Sequence, residues 1–180
     1  AGYKTSYVGK WHLSGSPHCN RWVPSGKRGG FQDFIGWESH HVDHMNGLIW
    51  ERPDRPVLFE GHETDGLTEI AIQRIDSLQK KCEHNPFCLF ISYQAPHPPC
   101  IPLSPYQEIY SEVDLCFESN TDREALFKNH FWGADYDTQE FRRRYYSEIL
   151  HIDAAFGKIL SHLDESGLSE NTIVVFTSDH

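Results

Sequence analysis

The chain has 180 residues, a formal net charge of −10 and 13% aromatic residues, which allows one domain with a real core. The acidic balance disfavours nucleic acid or an anionic membrane as a general partner, so an anionic ligand needs a local positive site. No stretch approaches the apolar length of a membrane span. Cys19, Cys82, Cys88, Cys100 and Cys116 fit no zinc-binding spacing, although Cys82 and Cys88 flank Asn85-Pro86 and could pair across that turn.

In chain order, residues 1–13 read as an extended segment closed by a Gly9-Lys10-Trp11-His12-Leu13 turn. Gly29 to Trp37 is an aromatic segment punctuated by glycine. Residues 38–63 are polar, His-rich and Pro-rich and read as a long excursion. Thr64 is placed as the N-cap of a helix on which Leu67, Ile70, Ala71, Ile75 and Leu78 recur at helical spacing. Asn85-Pro86 breaks the chain before a buried strand, Phe87 to Ser92. Gln94-Ala95-Pro96-His97-Pro98-Pro99 is the loop at its carboxyl end. Residues 100–137 read as a second excursion. A long helix is predicted from about Thr138, with Tyr145, Ile149, Ile152, Phe156, Ile159 and Leu163 as one apolar stripe and Gly167 as its C-cap. From Thr172 a β-branched run ends in Asp179-His180 and reads as a buried parallel strand. The alternation of helices and strands is that of an α/β domain.

Gly2-Tyr3-x-Thr5-x-x-x-Gly9-Lys10-Trp11-His12-Leu13 resembles the second signature of the sulfatases. Gly30-Phe31 through Gly36, Ala95-Pro96-His97 and the strand ending Thr177-Ser178-Asp179-His180 are similar to further stretches of that family. The resemblance implies part of an alkaline-phosphatase-like sulfatase fold, a mainly parallel sheet flanked by helices. It implies that residues 1–180 are part of a single catalytic domain, with the N-terminal nucleophile segment and the C-terminal part absent. It further implies that Lys10 and His97 contact the sulfate group, that His12 hydrogen-bonds the nucleophile, and that His97 protonates the leaving oxygen. Lys10, His12 and His97 are thus the catalytic candidates. Asp179 and His180 become ligands of one divalent ion, calcium first with manganese or magnesium as alternatives. Calcium prefers an all-oxygen shell and imidazole suits softer ions, so His180 leaves the metal's identity open.

The family's nucleophile is a formylglycine made within Cys/Ser-x-Pro-x-Arg. Cys100-Ile101-Pro102-Leu103-Ser104 lacks the Arg and lies on the wrong side of Lys10, so formylglycine is expected upstream. The expected activity of the parent protein is hydrolysis of a small-molecule or carbohydrate sulfate ester. The alternatives are a phosphonate or phosphate ester hydrolase, or an inactive truncated domain that at most binds an anion. The family implies a periplasmic, secreted or lysosomal location, with the cytoplasm left open. His40, His41, Asp43 and His44 read as a substrate-side loop, with a separate metal site as the lesser alternative, Gly61-His62-Glu63 as the lead into a helix, and Arg142-Arg143-Arg144 as a solvated helix face.

Overall fold

The computed structural model describes residues 2–15, 21–39, 41–81, 85–115 and 138–179. Five strands form one sheet in the order β4-β3-β2-β1-β5: β1 is Lys4–Lys10, β2 Asp33–Trp37, β3 Leu48–Arg52, β4 Arg55–Leu58 and β5 Phe87–Ser92. Among the described residues three α-helices accompany it, α1 at Glu63–Lys81, α2 at Ser104–Tyr110 and α3 at Thr138–Glu165. The α/β fold is the one expected, but the sheet is mixed. β1 runs parallel to β2 and to β5, while β2-β3 and β3-β4 are antiparallel. The excursion 38–63 therefore contains a hairpin that extends the sheet.

Alternation along the strands gives the sheet two apolar faces. Val8, Ile35 and Ile49 point to one face and pack with Trp37, Val42, Phe59 and Leu67 of α1. Tyr7 and Phe34 point to the other and stack at 5.2 Å, covered by Trp11 and Val23. α3 closes on the outer side of α1 through Ile75, Ile159 and Leu163. The centre of the sheet is close-packed. Gly9 has φ +112, and Gly36 lies against its carbonyl, so both positions need glycine.

Two predicted features differ in detail. α1 is capped by His62, whose Nδ1 accepts the Thr64 N–H at 3.2 Å. The run from Thr172 is extended but joins no strand among the described residues, and Ile173 is 93% exposed. A β-branched run becomes a strand only where a neighbour offers a hydrogen-bond ladder, and no described strand lies beside this one. Phe156 of α3 holds Phe176 at 5.1 Å between ring centroids. Gly167 ends α3 with φ +67, as predicted. Cys88 is an exposed free thiol, and Cys82 lies outside the described residues. No described helix is long and apolar enough to cross a membrane.

Candidate active site

The three parallel strands end on one edge of the sheet, the usual place for ligands in α/β folds. Lys10 closes β1 in register with Trp37 at the end of β2, and Gly9 faces Ser92 at the end of β5. The loop after β2 carries His41 and His44, and the loop after β5 carries Gln94 and His97. The parallel register thus gathers residues separated by more than eighty positions.

Lys10 is half-buried. Burial lowers its pKa, and the charges of Asp179 and Glu63 oppose that shift. His97 donates from Nδ1 to the Pro98 carbonyl at 2.7 Å, which leaves Nε2 as the atom that exchanges a proton. Its ring centroid lies 4.4 Å from that of His41. Buried Gln94 joins the two loops. Its Oε1 accepts the Val42 N–H at 3.0 Å, and its Nε2 donates to the Val42 carbonyl at 3.1 Å and to Nε2 of His44 at 3.1 Å. Glu63, at the first turn of α1, is fully buried and accepts the Gln94 N–H at 2.8 Å. Burial pushes its carboxyl up to about 7, against the opposing pull of the Gln94 and Ala95 N–H groups and of Lys10.

His44 shows how the charges converge. Burial first, then His62, His41, His97 and Lys10, bring its pKa down to about 4. A chain with net charge −10 thus sets one lysine and several imidazole hydrogen-bonding groups at a single strand-end edge. Beside His41 lies a cavity of about 460 Å³, lined by Asp43, Asn46, Trp50 and Pro99 among others.

Asp179 acts on Lys10 through its charge, and Lys10 and His97 both act on His44. His12 sits at φ +52, donates its N–H to the Glu38 carbonyl and turns its side chain to solvent. His180 lies outside the described residues, as does His40.

One buried group was not anticipated as a cluster. His44, His62 and Glu148 each offer a ligand atom within 4.8 Å of the others. Nε2 of His62, Nδ1 of His44 and Oε2 of Glu148 have no hydrogen-bond partner among the described residues, and these are the atoms that could meet an ion. Thr64 N–H occupies Nδ1 of His62, and the Gln94 amide donates to Nε2 of His44. The neutral rings therefore carry protons on Nε2 of His62 and Nδ1 of His44, and ligation of a metal there requires that proton to leave. The Ile101 main chain also favours the protonated form of His62, though without hydrogen-bond geometry at Nε2. Glu148 holds the Ile101 N–H at 2.7 Å, and burial drives its carboxyl up to about 8. The cluster ties α1, α3 and both loops together.

The sulfatase family model matches residues 1–180. The chain is 30% identical to the ulvan-active sulfatase of Formosa agariphila, over 99% of this chain and 33% of that protein. It is 22% identical to the N-acetylglucosamine-6-O-sulfatase of Bacteroides thetaiotaomicron, over 99% of this chain and 42% of that one. The crystal structure of yidJ from Bacteroides fragilis superimposes with a TM-score of 0.78 at 26% identity, covering 99% of this chain and 41% of that chain. The chain thus spans roughly a third to two-fifths of the length of these relatives. With its motifs, strand-end site and fold in agreement, this chain belongs to the sulfatase family.

Proposed function

We propose that the protein carrying this chain hydrolyses sulfate esters of sugars. The observation that supports this reading is the grouping of Lys10 with His97 and His41 at the carboxyl ends of β1, β2 and β5 in an otherwise acidic chain. Lys10 binds the sulfate oxygens and offsets charge as it redistributes in the transition state. His97, with Nδ1 committed to Pro98, protonates the leaving oxygen from Nε2. His12 hydrogen-bonds the nucleophile. The cavity beside His41 offers a Trp ring, a carboxylate and an amide to a sugar, in keeping with the sugar named for the Bacteroides thetaiotaomicron relative. Formylglycine from outside this chain would supply the attacking oxygen, and a divalent ion would stabilise negative charge on the transferring group. Asp179 is a hard carboxylate within the field of Lys10 and fits one position of such a shell. His180 would provide another, and calcium, manganese or magnesium suits a carboxylate-rich set.

The test is sulfate release from a 6-sulfated amino sugar by the complete protein. Turnover by wild type and a loss of about two to three orders of magnitude in Lys10→Ala, with a similar loss in His12→Ala, support the reading. Near-normal release by Lys10→Ala, or turnover of a phosphonate ester in preference to any sulfate, contradicts it.

A further inference from the structure

We propose that Glu63 is a positioning residue for His97, a role that rests on the function just given. Glu63 begins α1, the helix that underlies the sheet, so its carboxyl is delivered from a rigid element. Its Oε1 accepts the Gln94 N–H at 2.8 Å, and the Ala95 main chain also favours the ionised carboxylate. Gln94 and Ala95 carry the last two main-chain donors before Pro96, which has none, and His97 comes next. The Gln94 carbonyl then accepts the His97 N–H at 3.0 Å. The line from helix to proton donor is therefore continuous: α1, the Glu63 carboxyl, the Gln94 amide, and His97. Gln94 extends the same hold to Val42 and His44 through its side chain, so the loop bearing His41 is fixed from the same point.

Alternatives to Glu63 in this role are few. Glu63 has no exposed surface, so surface solubility does not explain a carboxylate there. Its second oxygen has no hydrogen-bond partner among the described residues, a cost that a purely structural helix start would avoid by using an uncharged residue. Thr64 of α1, Tyr93 after β5, Lys10 of β1 and Glu148 of α3 are the other polar groups that sense it.

Removing the carboxyl leaves the buried Gln94 N–H without its acceptor and frees the loop. Misplacing a catalytic group by about 1 Å costs on the order of 100-fold in rate. Glu63→Ala in the complete protein is expected to lower kcat by about 10- to 100-fold while KM moves by less than about threefold. The loss should be greater for a sugar sulfate than for 4-nitrophenyl sulfate, because only the sugar alkoxide needs a well-placed proton donor. Glu63→Gln keeps an acceptor oxygen and should recover most of the turnover. Equal losses on both substrates, or no recovery in Glu63→Gln, overturn the proposal. Hydrogen exchange provides a readout independent of activity. The Gln94 amide should exchange at least about 10-fold faster in Glu63→Ala and stay protected in Glu63→Gln. Unchanged exchange in Glu63→Ala also overturns the role. If wild type hydrolyses neither substrate, the functional reading fails and the exchange measurement alone decides the positioning claim.

Discussion

Replacing Gly9 by Ala tests how the fold delivers Lys10 to the edge of the sheet. Gly9 lies between β2 and β5, one residue before Lys10. A Cβ on Gly9 would lie 2.0 Å from the Ser92 carbonyl oxygen and 2.8 Å from its carbon. Both partners are backbone in a paired strand, so relief requires β1 or β5 to move by about 1 Å to restore ordinary van der Waals distance. The φ of +112 adds a second cost, since a side chain there sits in a sparsely populated region, about 1–3 kcal/mol. Overpacking of this kind costs about 1–3 kcal/mol more. The two together give about 2–6 kcal/mol, which for a domain of this size lowers Tm by roughly 5–20 °C. Thermal unfolding followed by circular dichroism reads the effect. Gly157→Ala is the control: it lies in α3 with nothing within 4 Å of the added carbon, and should raise stability by about 0.5–1 kcal/mol. A Gly9→Ala protein that melts with wild type would refute the close-approach argument and the strand register behind it.

Other consequences can be measured separately. His97→Ala should harm hydrolysis of sulfate esters of poorly acidic alcohols far more than esters of acidic phenols, read as the ratio of kcat/KM values; an equal loss would assign His97 to sulfate binding alone. Stability should depend on pH in two opposing ways. His44 and His62 have pKa values near 4 in the fold, so stability is lost as pH falls from about 6.5 toward 4. Glu63 and Glu148 are raised to about 7 and about 8, so stability is lost as pH rises from about 4.5 through those values. The two effects offset between about pH 4.5 and 6.5, so Tm should peak there and fall by pH 8; a Tm that rises steadily to pH 8 contradicts the buried carboxyls. Asp179→Ala in the complete protein should lose its divalent ion and its activity together, and equal metal content in elemental analysis of the variant and wild type would remove Asp179 from the metal shell.

The sequence made the strand-end chemistry legible where motif and periodicity coincided. Lys10 closes a strand, His97 follows one, and α1 buries Leu67, Ala71, Ile75 and Leu78 as its spacing requires. Alternation failed for residues 48–58, because Glu51-Arg52-Pro53-Asp54-Arg55 resembles a loop; its carboxylate and guanidinium are instead used in a salt bridge between Glu51 and Arg55 at 3.2 Å. The stripe on α3 was rotated. Ile149 is 39% exposed, while Ser147, Glu148 and His151 are buried. Apolarity alone points to Tyr145 and Ile149, whereas a Glu and a His in line with Ile152, Ala155 and Ile159 are the sequence signal of a buried polar cluster. That signal needs partners to interpret. Nε2 of His151 pairs with Asp65 at 3.0 Å, eighty-six residues away, and no local pattern discloses such a pairing. The same holds for Glu63, read as the lead into a helix, whose importance comes from amides brought to it by β5.

The most direct test of the account is where a sulfate group sits in a crystal structure of the complete protein with a sulfated sugar or inorganic sulfate. The account predicts sulfate oxygens within about 3 Å of Lys10 Nζ and of His97 Nε2, with the sugar directed toward the cavity beside His41. Density for the sulfate away from both residues, with this strand-end edge left open, would contradict it.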